Sequence, residues 1–215
     1  AASDVYKRQF LVEESVRRGF AKLSKDGALL VRTGRFTGRA AQQRFFVRSA
    51  ETENQIYWGK ANRGLSVQFS TSFFEALEKK LLEDEPFETR GYAGVFPITV
   101  RTTSPWHALF ARNMFRAQPV ESVMGKFSDQ NEIQVWHAPD LALRDLKIPE
   151  ETLAAEESIQ ADQQALILLD PIRMKIGIVG TAYAGEIKKS AFTLCNYRMP
   201  EVGILPMHAS ANCLE

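Results

Sequence analysis

Ala165-Leu166-Ile167-Leu168-Leu169, then Asp170-Pro171, then Met174-Lys175-Ile176-Gly177-Ile178-Val179, then Gly180-Thr181-Ala182-Tyr183-Ala184-Gly185-Glu186-Ile187-Lys188-Lys189-Ser190: this stretch decides the fold class. The two apolar runs are short and rich in β-formers, which predicts two buried strands. The glycines that bracket Tyr183 predict a turn. Glu186 predicts the start of a helix, because a carboxylate suits the positive end of the helix dipole. That helix is expected from Glu186 to about Tyr197, with Pro200 as its stop. Ile187, Ala191 and Leu194 then share one face, and Lys189 points roughly away from it. A further apolar run, Ile204-Leu205-Pro206-Met207, predicts a third strand that ends at His208-Ala209-Ser210-Ala211-Asn212.

Tyr183, Lys189 and His208 fall at the ends of neighbouring elements, where α/β proteins place their ligands. A lysine and a neutral imidazole converging there suit an anion or a metal ion. Most helical lysines are solvated surface charges, and a lone histidine is more often a hydrogen-bonded structural group. Taken singly, these residues leave both readings open.

Working outward, Ala1 to about Phe10 lacks periodicity and reads as a disordered or foreign leader. Leu11 to Arg18 predicts a helix ending at Gly19, Ser24-Lys25-Asp26-Gly27 a turn, and Ala28-Leu29-Leu30-Val31 a strand. Arg32-Thr33-Gly34-Arg35-Phe36-Thr37-Gly38-Arg39 follows, and then a strand at Arg44 to Arg48. Glycines let backbone approach a ligand, and arginine forks grip carboxylate or phosphate. The loop therefore reads either as an anion site or as an exposed basic turn. Ser70 to Leu82 predicts a helix with Ser72 as cap and Glu75 completing a capping box. Pro97 to Thr103 predicts a strand, and Ser104 to Phe115 a helix that Pro105 starts. His107, between apolar neighbours, reads as a satisfied structural histidine. Ile133 to Trp136 predicts a strand, and His137-Ala138-Pro139-Asp140 either a metal pair or a turn built on Pro139. Glu151 to Gln164 reads as a surface segment. Strands and helices alternate without a linker, which predicts a single domain.

The 215 residues are 45% hydrophobic and 25% charged, an ordinary globular balance. A formal net charge of +1 gives no strong field toward nucleic acid or a membrane surface. No apolar run approaches the roughly 20 residues that span a bilayer. Cys195 and Cys213 make no disulfide framework, and no Cys/His spacing matches a zinc site. A cytoplasmic setting is expected.

Four groups of words, taken with the stretches above, carry a resemblance. They are Lys25-Asp26-Gly27-Ala28-Leu29 with the Arg32–Arg39 loop, Glu53-Asn54-Gln55-Ile56 with Trp58-Gly59-Lys60, Trp106 to Met114, and His137-Ala138-Pro139-Asp140. With Tyr183 to Ser190 and Pro206 to Asn212, they make the chain resemble ATP-dependent phosphoenolpyruvate carboxykinase from about Leu11 to Asn212. The resemblance implies an α/β fold of N-terminal domain type, a mixed sheet with flanking helices, over residues 11–215. It implies conversion of oxaloacetate and ATP to phosphoenolpyruvate, carbon dioxide and ADP, a gluconeogenic reaction, with Mn2+ and Mg2+. Arg39 is then the catalytic arginine that binds the substrate carboxylate, and Tyr183 contacts substrate. Lys189 touches metal, substrate and nucleotide phosphate, and is counted as catalytic. His208 is a metal and nucleotide-site ligand. A ligating Lys189 has to be neutral.

Two local departures from the family stand out. Ala40-Ala41-Gln42-Gln43 replaces the family's Ser-Pro-Lys-Asp run, and Ala209 stands where the family has a cysteine. The family's phosphate loop, G-x-x-x-x-G-K-[ST], has no counterpart: Gly59-Lys60 precedes Ala61 and Gly125-Lys126 precedes Phe127. The expectation is an N-terminal domain without the nucleotide-binding domain, inactive alone. The alternative is a non-catalytic dicarboxylate-binding module.

Overall fold

The computed structural model describes residues 7–119, 132–160 and 162–209. In chain order its elements are α1 (Arg8–Arg17), β1 (Ala21–Leu23), β2 (Leu29–Val31), β3 (Arg44–Arg48), α2 (Ala50–Glu53), β4 (Arg63–Ser66), α3 (Val67–Glu83), β5 (Phe87–Ala93), β6 (Phe96–Thr102), α4 (Pro105–Met114), β7 (Ile133–Ala138), α5 (Glu150–Ala154), β8 (Leu166–Asp170), β9 (Lys175–Val179) and α6 (Gly185–Arg198).

Seven strands form one mixed sheet in the order β4-β3-β8-β9-β7-β6-β5, and β1 and β2 pair as a separate ribbon. All five residues of β8 are buried, because both faces of the sheet are covered. Ile167 and Leu169 pack on one face with Ile98, Val100, Ile176, Ile178 and the α6 residues Ile187, Ala191 and Leu194. Leu166 and Leu168 pack on the other with Phe45, Val47 and the α3 residues Phe69, Phe73 and Leu77. The result is a sheet between α6 and α3, an α/β fold with flanking helices. Gly177 is what lets α3 approach so closely: a Cβ there would collide with Cε1 of Phe73.

Strand directions put the functional words at one end. β6, β7 and β9 are mutually parallel, so Thr102, His137 and Val179 finish at the same edge. β8 runs against β9 and β3 runs with β8, so the N-terminal end of β3 at Arg44 lies at that edge too. The loop before β3 and the turn after β9 therefore meet.

Four readings need correction. α1 begins at Arg8, so the last three residues of the expected leader are helical; residues 1–6 lie outside the described ones. α3 begins at Val67, and its cap is Ser66, which accepts the Phe69 N–H at 3.0 Å; Ser72 lies inside the helix. The hydrophobic face already starts at Phe69, one turn before the Ser72 signal. Phe87 to Gly94 is more than a short element, since β5 pairs along its full length with β6. Ile204 to Met207 is not a strand. After α6, a 3-10 turn over Met199–Val202 ends at Gly203 with φ 73°, and the Ile204 N–H bonds back to the Met199 carbonyl at 3.1 Å. That closure of the helix end uses the donor a ladder would need, and Pro206 has none.

Candidate functional site

The Arg32–Arg39 loop turns at Gly34, whose φ of 67° is a backbone state that favours glycine. Its exit is fixed from a distance. Oε1 of Glu186 accepts the Ala40 N–H at 2.8 Å, although 146 residues separate them. Ala40 and Glu186 are both buried. Burial raises the Glu186 carboxyl above its ordinary value, against the pull of the Ala40 N–H and of Arg39 and Arg44. The Ala40 to Gln43 departure thus makes a short 3-10 turn tied to α6, and Arg39 is presented at its start.

The turn after β9 is equally constrained. Gly180 has φ 73°, and a Cβ there would collide with the Gln164 carbonyl. Gly185 leaves room for the Tyr183 ring, since a Cβ would stand 2.5 Å from Tyr183 Cε1. The ring therefore lies across the first turn of α6.

Arg39, Tyr183 and Lys189 all line one cleft of about 370 Å³, with Thr33, Trp106, Phe110 and Lys188. Lys189 Nζ also contacts Nε2 of His208. Their arrangement is braced by Phe192, whose ring centroid is 5.9 Å from both Lys189 Nζ and the His208 ring. The structure thus brings together all four residues singled out in the sequence. His208 arrives on the irregular segment after Gly203. Ser210 to Asn212 and Cys213 lie outside the described residues.

The other histidines are committed elsewhere. His107 Nδ1 lies 2.8 Å from Ser104 Oγ, and its Nε2 donates to the Ala182 carbonyl at 3.0 Å. His137 Nδ1 lies 2.9 Å from Thr102 Oγ1, and its Nε2 donates to the Thr181 carbonyl at 3.2 Å. Burial holds His107 down to about 4 and His137 well below its ordinary range. His137 is buried and Asp140 exposed, so the turn, closed by the Leu141 N–H on the Ala138 carbonyl, is the reading that stands.

Four cleft residues were not singled out from the sequence. Lys188 adjoins Lys189, and Thr33 sits within the arginine loop. Trp106 and Phe110 meet edge to face as an i, i+4 aromatic pair on α4 with centroids 6.2 Å apart. Their spacing was the signal that could have found them.

Chemically, Arg39, Lys188 and Lys189 in one cleft with Tyr183 suit a small dianion. Among the described residues no three His, Cys, Asp or Glu side chains gather at one point. The Lys189 and His208 nitrogens, in contact with each other, offer two donors toward a divalent-metal site. Another groove of similar size, about 340 Å³, runs between α3 and residues 145–149; Glu75, Lys79 and Asp145 line it, and none of the four does.

The family model described as phosphoenolpyruvate carboxykinase matches residues 3–215. The chain belongs to the phosphoenolpyruvate carboxykinase family. It is 36% identical to the phosphoenolpyruvate carboxykinase (ATP) of Thermus thermophilus, over 94% of this chain and 37% of that protein. The same name belongs to relatives from Geobacter sp. strain M21, at 35% identity over 95% of this chain and 37% of the relative, and from Rhodopseudomonas palustris strain CGA009, at 36% over 94% and 36%. The chain thus spans just over a third of the length of these curated relatives. No helix among the described residues is long and apolar enough to cross a membrane.

Proposed function

We propose that this chain supplies the dicarboxylate and metal half of an ATP-dependent phosphoenolpyruvate carboxykinase. The enzyme is a lyase that decarboxylates oxaloacetate and transfers phosphoryl from ATP, giving phosphoenolpyruvate, carbon dioxide and ADP. Its role is gluconeogenic and its setting cytoplasmic. Residues 11–215 form its N-terminal domain, and the nucleotide-binding domain belongs to the remaining length that the relatives have.

The supporting observation is the meeting of Arg39, Tyr183 and Lys189 in one cleft, with His208 against Lys189. Arg39 pairs with a carboxylate of oxaloacetate, and the Tyr183 hydroxyl orients the dianion. The Lys189 and His208 nitrogens would hold Mn2+, with Lys189 neutral as a ligand. The chemistry a divalent cation supplies there is Lewis-acid stabilisation of negative charge on the substrate. By its resemblance to the family, Lys189 would also touch the nucleotide phosphate. Trp106 and Phe110 give the cleft an apolar wall.

Calorimetric titration with oxalate, a dianion that cannot react, tests this reading. The chain is expected to bind oxalate, and Arg39→Ala to weaken it at least tenfold, the loss of a charge-assisted pair worth about 1.5–3 kcal/mol. Equal binding by the parent chain and Arg39→Ala would refute it.

A further inference from the structure

We propose that His107 and His137 are positioning residues of this cleft: side by side beneath it, they hold the successive carbonyls of Thr181 and Ala182 and so set the path of the chain into Tyr183 and α6. This rests on the carboxykinase reading of the cleft for its functional consequence, but the clamp itself stands on geometry.

The tautomers follow from the partners. A carbonyl oxygen only accepts, so the proton of each ring sits on Nε2, where the two carbonyls are. Each Nδ1 then accepts a hydroxyl proton, from Ser104 for His107 and from Thr102 for His137. The hydroxyl oxygens are in turn occupied. Thr102 Oγ1 accepts the Ser104 N–H at 3.2 Å, and Ser104 Oγ accepts the His107 N–H at 3.4 Å as the cap of α4. Every group in this chain of bonds has one consistent role, which makes it a rigid unit.

The rings are 4.5 Å apart at 53° and come from different elements, His137 from β7 and His107 from α4. The segment they grip has left the sheet. Gly180 makes its left-handed turn with its N–H on the Ala138 carbonyl at 3.3 Å, and no strand continues past it. Holding two successive carbonyls fixes the orientation of both peptide planes that lead into Tyr183. Just past Tyr183, in the first turn of α6, Glu186 ties the same turn to Ala40. The histidines thus fix the turn from below and Glu186 fixes it from the side of Arg39. None of the three touches the cleft space where substrate would sit. Burial in the low-dielectric interior keeps both rings neutral, as the clamp requires.

The test compares His107→Leu and His137→Leu with His107→Gln and His137→Gln. A glutamine amide can keep a donor near the Nε2 position; leucine cannot. Amide hydrogen exchange is read by NMR at Tyr183 and Glu186, with Ile167 and Ile176 as references in the sheet, and oxalate affinity is read by calorimetry. Leucine is expected to speed exchange at Tyr183 and Glu186 at least tenfold while the sheet amides stay within twofold. It is also expected to weaken oxalate binding at least fivefold. Glutamine should return both to within threefold. Long-range 15N correlation of the parent chain should show both imidazoles as the Nε2–H tautomer, a readout that survives even if a leucine variant fails to fold. The proposal is overturned by Nδ1–H tautomers, by unchanged exchange in folded leucine variants, by uniform loosening that glutamine does not reverse, or by a loosened turn with unaltered oxalate affinity. If the parent chain and Arg39→Ala bind oxalate equally poorly, the reading of the cleft fails instead, and tautomer and exchange alone decide the clamp.

Discussion

Glu186 accepts the Ala40 N–H through Oε1 at 2.8 Å, and this bond joins the two halves of the cleft. On one side lies Arg39, and on the other Tyr183 and Lys189. Removing the acceptor should leave the buried Ala40 N–H unpaired. Glu186→Ala is therefore expected to cost about 1–3 kcal/mol of stability, measurable by urea unfolding. Unchanged stability would show that water replaces the bond at no cost.

The charge of Glu186 gives a separate, pH-dependent expectation. Burial raises its folded carboxyl above the unfolded value. The stability it contributes is then full below the ordinary carboxylate range and is lost as pH rises through the raised folded value. Glu186→Gln keeps an acceptor and removes the titration. Its thermal midpoint should match that of the parent chain in acid and exceed it at neutral pH. A parent chain that gains on the glutamine variant as pH rises would mean that Arg39 and Arg44 outweigh burial.

Gly185 and Tyr183 form a steric pair. A methyl at Gly185 meets the Tyr183 ring at 2.5 Å, so Gly185→Ala should cost about 1–3 kcal/mol and displace the ring. In a Tyr183→Ala background the same change should cost much less, and a double-mutant cycle measures the difference. Additive penalties would place the strain in the backbone instead.

Lys189 and His208 are expected to act on metal together. Isothermal titration with Mn2+ should show His208→Ala and Lys189→Ala each weakening the site, and the double variant little worse than either single one. Independent effects that simply add would separate the two residues.

Much of this architecture was legible in local sequence. β3, β6, β7, β8 and β9 were expected because each is a short segment rich in β-formers with a buried apolar centre, and α4 because Ser104-Pro105 marks its start. β1 and β4 were not. Two of the three β1 residues are exposed, and β4 carries Arg63 and Gly64 at a sheet edge, so pairing rather than composition makes them strands. The 204–207 run looked like a strand because its apolar content was read without its partners. Tyr183, Lys189 and His208 stood out at the ends of neighbouring elements and Arg39 in a basic glycine loop, but each had an ordinary structural reading beside it, and their roles came only from words resembling a family. Glu186 was seen only as a helix-start charge. Its partner Ala40 is far off in sequence, so no window reveals the bond.

Arg39, Tyr183 and Lys189 are proposed to bind a dicarboxylate in one cleft. The most direct measurement is the 15N chemical-shift map of the labelled chain during titration with oxalate. The largest shifts are expected at Arg39, Tyr183, Gly185 and Lys189, with Glu75, Lys79 and Lys147 in the α3 groove unmoved. Shifts concentrated in that groove, or none at saturating oxalate, would contradict the proposal.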